Sequence, residues 1–242
     1  MTYAMSDIHG CYDKYLKMLK EIEFNDDDTL YVLGDVIDRG PKPIELLTDM
    51  SMRANVFPIL GNHEYMAFGI LKRLIVLLQE ITDESVEELE NSNIDLIEFT
   101  EDVELWRAKK MGGGPTMQGF RELLHDDREF LIEYLEEFSL FEAIEVGGRN
   151  YVLSHCGIPN GATSENLDSF DAWDFITAKV DYGRQYFKDA YLVTGHIPTK
   201  VIDKSYKGRI YRNSNNIAID TGAVFGEKLA CLCLDTDEEF YV

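Results

Sequence analysis

The amino-acid sequence predicts an α/β fold, and three observations carry that prediction. Short apolar runs, Thr2-Tyr3-Ala4-Met5, Leu30-Tyr31-Val32-Leu33 and Val56-Phe57-Pro58-Ile59-Leu60, have the length and composition of buried strands. Between them apolar residues recur at helical spacing. The last third returns to strand-like runs at 151–154, 191–194, 217–219 and 229–234. A helix joining two neighbouring strands makes a βαβ unit, and such sheets place ligands at the carboxyl ends of their strands. With 242 residues the chain has length for one α/β domain, with or without an insertion.

The first strand runs into Ser6-Asp7-Ile8-His9-Gly10. In extended geometry Asp7 and His9 point to one side, as two ligands of one cation would; the plainer reading is a cap on the helix that follows. That helix is expected over residues 11–22, with Tyr12, Tyr15, Leu16, Leu19 and Ile22 on its apolar face. The second strand ends in Gly34-Asp35-Val36-Ile37-Asp38-Arg39-Gly40. Carboxylate oxygen suits divalent cations, and the arginine fork suits phosphate oxygens. Surface pairing of Arg39 with Asp38 is the competing reading. A second helix is expected over 44–52. The third strand then ends in Gly61-Asn62-His63-Glu64, where Asn62 can ligate through its oxygen. His63, pointing the other way on a strand or lying on a turn, can donate a proton.

Residues 66–112 read as a helical insertion within one domain spanning 1–242. Its apolar face is Ile70, Leu71, Leu74, Ile75 and Leu78. Between Glu80 and Glu104 stand eleven acidic residues and no basic one, a pattern of a solvated face. Trp106 and the loop Gly112-Gly113-Gly114-Pro115-Thr116 follow, then a helix across 130–138. His125, in a charged helical context, reads as a surface or packing residue and not as a ligand. In the β-rich part, His155 follows 151–154, Gly195-His196 follows 191–194, and Asp220-Thr221-Gly222 follows 217–219. Either histidine taken alone is more often a core residue than a ligand.

A formal net charge of −22 argues against a nucleic-acid or anionic-membrane partner, which needs basic surface. The four cysteines are too few and scattered for a disulfide framework. Cys231 and Cys233, two apart in a strand, should share one sheet face. The chain shows no signal-peptide pattern and no apolar run near the ~18 residues of a spanning helix, so the expected location is cytoplasmic.

Taken in order, Asp7-x-His9, Gly-Asp-x-x-Asp-Arg-Gly at 34–40, Gly-Asn-His-Glu at 61–64, His155 and Gly195-His196 resemble the calcineurin-like metallophosphoesterases. Within them the full second and third motifs resemble the phosphoprotein phosphatase (PPP) family of serine/threonine phosphatases. Trp106 with Gly112-Gly113 and Thr116 is similar to a stretch in its small bacterial-type members, and Asp220-Thr221-Gly222 resembles a late motif there. The resemblance implies a two-sheet β-sandwich flanked by helices. It implies two divalent ions, manganese foremost, with iron or zinc suited to the same ligands. Asp7, His9 and Asp35 would hold one, and Asp35, Asn62, His155 and His196 the other. His63 would be the general acid, Asp38 its hydrogen-bond partner, and Arg39 and Asn62 the phosphate-binding groups. Hydrolysis would be direct, without a phosphoenzyme.

Two positions depart from the family pattern. Cys156 stands where alanine or glycine is usual. No arginine follows Trp173, so Arg184, the only arginine between His155 and His196, is the candidate second phosphate ligand. The leading expectation is a serine/threonine protein phosphatase acting on a phosphoprotein. The alternatives are a bis(5'-nucleosyl)-tetraphosphatase acting on a phosphorylated small molecule, and a non-catalytic metal-bound binding module. The acidic stretch and the departure at Arg184 speak mildly against a polyanionic substrate.

Overall fold

The computed structural model describes residues 1–78 and 94–242. Residues 80–93 of the acidic stretch, within the expected insertion, therefore lie outside the described residues. In chain order, the first half contains β1 (Thr2–Met5), α1 (Tyr12–Glu21), β2 (Thr29–Leu33), α2 (Pro43–Ser51), β3 (Val56–Ile59) and α3 (Asn62–Leu77). Among the described residues three helices follow, α4 (Leu96–Arg107), α5 (Gly114–Glu122) and α6 (His125–Glu136). The last part contains β4 (Phe141–Val146), β5 (Arg149–Ser154), α7 (Ala172–Ile176), β6 (Ala190–Thr194), α8 (Thr199–Ile202), β7 (Tyr211–Asn213), β8 (Asn216–Ala218), β9 (Ala230–Cys233) and β10 (Glu239–Tyr241).

The strands form two five-stranded sheets, ordered β10-β9-β1-β2-β3 and β4-β5-β6-β8-β7. In the first, β1, β2 and β3 are parallel; in the second, β5, β6 and β8 are parallel. Each sheet thus contributes three parallel strands whose carboxyl ends carry the sequence motifs.

Period-two alternation sorts the strand residues. Ala4, Leu33, Ile59, Tyr151, Leu153, Val193, Ile217, Ala230 and Leu232 fill the space between the sheets. Tyr3, Met5, Leu30, Val32, Cys231 and Cys233 face the helical layer, so the two cysteines do share a face. Val152 and Leu192, on the outer face of the second sheet, pack with Phe175 and Phe187. The architecture is a sandwich of two sheets with helices on its flanks.

On α1, Tyr15, Met18 and Leu19 are buried, and Ile22 just past the helix with them. Leu16, expected on that face, is 38% exposed. Met18, three residues after Tyr15, completes the buried stripe with Leu19 and Ile22 instead. Ile70, Leu71 and Leu74 of α3 and Phe99, Val103 and Trp106 of α4 join the same apolar cluster. No helix among the described residues is long and apolar enough to cross a membrane.

Candidate metal centre

Asp7 follows β1, Asp35 follows β2, Asn62 and His63 follow β3, His155 follows β5, and His196 follows β6. All six parallel strands open onto one edge, so residues up to 189 positions apart meet there. The His196 amide, for instance, donates to Asp7 Oδ2 at 2.9 Å. Asp35 sits in the middle. His155 Nε2 lies 3.2 Å from its Oδ1, and His9 Nε2 3.5 Å and His63 Nε2 3.9 Å from its Oδ2. Asp7, His9, Asp35, Asp38, His63 and His155 are all buried.

The local backbone is unusual. Asp7, His9, Asp35, Asp38, Arg39 and His196 all have φ between +46° and +68°. Left-handed backbone costs a non-glycine residue about 1–3 kcal/mol, and such strain gathers where function requires it. The segment after β1 is therefore not extended. Asp7 and His9 reach the site from a loop held by hydrogen bonds from the amides of Asp7 to Gly34 O and His9 to Asp35 O. Asn62 and His63 likewise stand on the first turn of α3, not on a strand tip.

Glu64, third residue of α3, organises the Asp35 loop. Its buried carboxylate accepts the amides of Asp35 (2.9 Å), Val36 (2.8 Å), Ile37 (3.1 Å) and Gly61 (3.1 Å). Burial and Asp35 push its pKa up, and the amide at Ile37 pulls it down. Gly61 must be glycine because a Cβ there would overlap the Asp35 backbone nitrogen. Glu64→Gln replaces one acceptor oxygen with a donor facing backbone N–H groups. We expect it to lower unfolding free energy by about 2–4 kcal/mol, since charged hydrogen bonds are lost and donors stay buried. Urea denaturation checks this, and a loss under about 0.5 kcal/mol would contradict it.

The imidazoles are oriented for ligation. His9 Nδ1 donates to Ile37 O at 2.8 Å, and His155 Nδ1 donates to Leu33 O at 2.7 Å. Each Nε2 lone pair therefore faces the centre, the arrangement in which backbone carbonyls fix the tautomer of a ligating histidine. Two sets of donor atoms lie within 4.8 Å of one another and share Asp35, namely Asp7, Asp35, His155 and His9, Asp35, His63. Asn62 Oδ1 stands 3.1 Å from His155 Nε2. His196 is grouped with His155 and Cys156 in the same way.

Electrostatically the group is unbalanced by itself. Burial raises the Asp7 pKa to about 7 and lowers that of His9 to about 3 and His196 to about 4. Burial disfavours charge on Asp35 too, but His155 and His63 outweigh it and hold its pKa well below the usual value. Mixed nitrogen and oxygen donors, buried and preoriented around one shared carboxylate, fit divalent transition-metal ions.

His63 and Asp38 form a second unit. His63 Nδ1 donates to Asp38 Oδ2 at 2.7 Å. The same oxygen accepts Trp106 Nε1–H at 2.8 Å, and Thr116 Oγ1 donates to Oδ1 at 2.7 Å. Asp38 and His63 are fully buried, and His63 Nε2 has no hydrogen-bond partner among the described residues. Burial works against charge on His63, yet Asp35 and Asp38 prevail and raise its pKa. A buried imidazole held at one nitrogen, with the other open to the centre, can deliver a proton there.

Arg39 is half-buried, and Nη1 donates to His9 Nε2. Arg184 is not brought to this group. It is exposed and its guanidinium lies 5.1 Å from the Tyr186 ring centre. A different cation comes near, because Arg39 and Lys200 lie 5.6 and 5.4 Å from the centre of one ring, Phe225. Cys156 is buried with Sγ 3.9 Å from Asn62 Oδ1, and burial raises its pKa. His125 is on the surface, 3.4 Å from Glu129.

Glu64, Trp106 and Thr116 were visible in the motifs without a role. The signal for Glu64 was available, since glutamate three residues after a helix cap commonly reaches back to it. Lys200 and Phe225 carry no local signal.

A model of the calcineurin-like phosphoesterase family matches residues 2–220. Symmetrical bis(5'-nucleosyl)-tetraphosphatases of Salmonella typhimurium and Salmonella paratyphi B are 42% identical over 65 residues, 26% of this chain and 23% of theirs. The match thus spans under a quarter of those relatives. Among solved structures, a putative diadenosine tetraphosphatase aligns with TM-score 0.62 and 16% identity, covering 100% of this chain and 92% of that one. A protein serine/threonine phosphatase from Saccharomyces cerevisiae aligns with TM-score 0.53 and 13% identity over 95% and 71%. A cold-active protein-tyrosine phosphatase from a Shewanella species gives 0.54 and 15% over 99% and 76%. At these identities the structural likeness concerns the fold.

Proposed function

Because the chain belongs to the calcineurin-like phosphoesterase family, we propose that it is a metal-dependent phosphoric ester hydrolase acting on a dinucleoside polyphosphate. The observation that carries the reaction is Asp35, common to both sets of donor atoms. Asp7, His9 and Asp35 would hold one divalent ion, and Asp35, Asn62, His155 and His196 another, within one domain of 242 residues. Bound ions supply Lewis acidity and an activated water. The chain's own residues do the rest. Arg39 and the Asn62 amide bind phosphoryl oxygens, His63 gives the proton on Nε2 to the leaving oxygen, and Asp38 keeps the imidazole protonated and aimed. No side-chain nucleophile is required.

Aromatic surface beside the centre supports the nucleotide substrate. Tyr65 stands on the same first turn as Asn62 and His63, and its ring centre is 6.2 Å from that of Trp173. Both rings are exposed, as is Phe225, and exposed rings provide stacking surface for a base. The name carried by the Salmonella relatives agrees with this reading.

A serine/threonine protein phosphatase is the second reading, favoured by α4. That helix anchors Asp38 through Trp106 while exposing Glu98, Glu101 and Glu104, a face that attracts a basic peptide and repels a polyphosphate. The deciding test is turnover by the manganese-reconstituted protein of diadenosine tetraphosphate and of a phosphothreonine peptide. We expect at least about ten-fold higher kcat/KM on the dinucleotide, a transition-state difference of ~1.4 kcal/mol. Preference for the peptide would replace the first reading with the second.

A further inference from the structure

We propose that Lys200 and Phe225, together with Arg39, form a subsite for a phosphoryl group beyond the one being hydrolysed, so that the site selects condensed phosphates over phosphomonoesters. The inference deepens the dinucleoside polyphosphate reading and rests on it.

Lys200 lies four residues after His196, on the short helix α8. Its neighbour Thr199 fixes the backbone, with the amide donating to Asp220 O at 2.8 Å and Oγ1 donating to Tyr206 O at 3.0 Å. Among the described residues, lysine ion pairs are made by Lys42, Lys72 and Lys207, and none by Lys200. Glu227, which like Lys200 lies beside Gly222, is engaged by Lys207 at 3.1 Å. In a chain of net charge −22, a half-buried ammonium without a carboxylate partner beside the centre is an available anion ligand.

Phe225 is held, not loose. It ends a single helical turn, Ala223–Phe225, bracketed by Gly222 (φ 84°) and Gly226 (φ 88°), positions that require left-handed backbone. Lys14 Nζ pins that turn by donating to Ala223 O at 2.8 Å and to Glu227 O. The ring is nonetheless 54% exposed. An exposed phenyl ring kept in place with two cations around it resembles no core element. It spaces the cations and gives each a favourable aromatic contact until an anion arrives. Arg39 belongs to the centre through His9, and the Lys200 ammonium shares the Phe225 ring with it. A polyphosphate chain held at Arg39 has further phosphoryl groups to offer the Lys200 ammonium, and a phosphomonoester has none. Charge-assisted contacts of this kind discriminate by number of phosphates.

The test is calorimetric binding of inorganic tripolyphosphate and of inorganic phosphate to the manganese-reconstituted full chain. It compares the native protein with Lys200→Ala, Lys200→Arg and Phe225→Leu. The native protein should bind tripolyphosphate more tightly than phosphate. Lys200→Ala should weaken tripolyphosphate about ten-fold while changing phosphate less than about two-fold, and Lys200→Arg should restore most of the difference. Phe225→Leu should weaken tripolyphosphate by a smaller factor. Equal weakening of both anions by Lys200→Ala, or no weakening of either, overturns the subsite. The two readings fail separately. Turnover of diadenosine tetraphosphate with no Lys200 effect sinks the subsite alone. Selective loss of tripolyphosphate without turnover of the dinucleotide sinks the substrate assignment alone.

Discussion

Asp35→Asn is expected to reduce phosphoester hydrolysis about 10³-fold or more, whichever ester is offered. The ions' stabilisation of developing charge is worth several kcal/mol, and each ~1.4 kcal/mol is a factor of ten. The replacement is nearly isosteric, and its side-chain oxygen can still accept the His63 amide that Asp35 Oδ1 now accepts at 3.1 Å. It removes one of two buried carboxylates whose neighbour, Asp7, burial already drives to a pKa of about 7 with Asp35 adding to the rise. His155 and His63 nonetheless hold the Asp35 carboxylate ionised, well below its usual pKa, so its charge contributes stability at neutral pH and the metal-free variant should melt lower than the metal-free native protein. Manganese at 100 times its dissociation constant should stabilise the native protein by about 2.7 kcal/mol, with much less effect on the variant. Thermal unfolding with and without manganese reads both. A variant that keeps its metal-dependent stabilisation and turnover would remove Asp35 from its assigned place.

The parts of the centre that were legible in sequence share a property. Each sits directly after an apolar run, so its position at a strand's carboxyl end follows from chain order and from parallel pairing. Asp7, Asp35, His155 and His196 are all of this kind. What was not legible depends on contacts made across the fold. Thr116 matters because α5 brings it 78 residues back to Asp38, and no spacing rule predicts that. Lys200 and Arg184 are both lone cations in sequence; only the packing of Phe225 tells them apart. The left-handed loop at Asp7 and His9 hid from the extended-strand reading because both residues tolerate that backbone only when the parallel neighbour holds it.

The fold shows the same division. The parallel core strands are continuously apolar and were readable. The edge strand β4 carries Glu142 and Glu145, and that polarity concealed it, although Gly147 and Gly148 at positive φ mark a two-residue hairpin turn. Leu16 was misassigned to the buried face of α1 because periodicity defines a stripe only to within a residue.

His63→Gln is expected to separate proton delivery from the rest of the chemistry. General acid catalysis contributes about 10²–10⁴-fold when the leaving oxygen is basic. An alkyl phosphate or a phosphothreonine peptide should therefore lose turnover in that range. p-Nitrophenyl phosphate releases a phenolate stable without a proton and should lose far less. Asp38→Asn should fall between, by about 10–100-fold, since orienting partners of a functional imidazole have effects of that size. Its cost arises because the amide cannot both accept from His63 Nδ1–H and satisfy Trp106 and Thr116 as the carboxylate does. The leaving-group dependence is the diagnostic. If His63→Gln slows the aryl and alkyl esters by one factor, the imidazole acts by holding structure or charge at Asp35, 3.9 Å away, and not as the acid. If the losses diverge with leaving-group basicity, the unpartnered Nε2 is the atom from which the proton leaves.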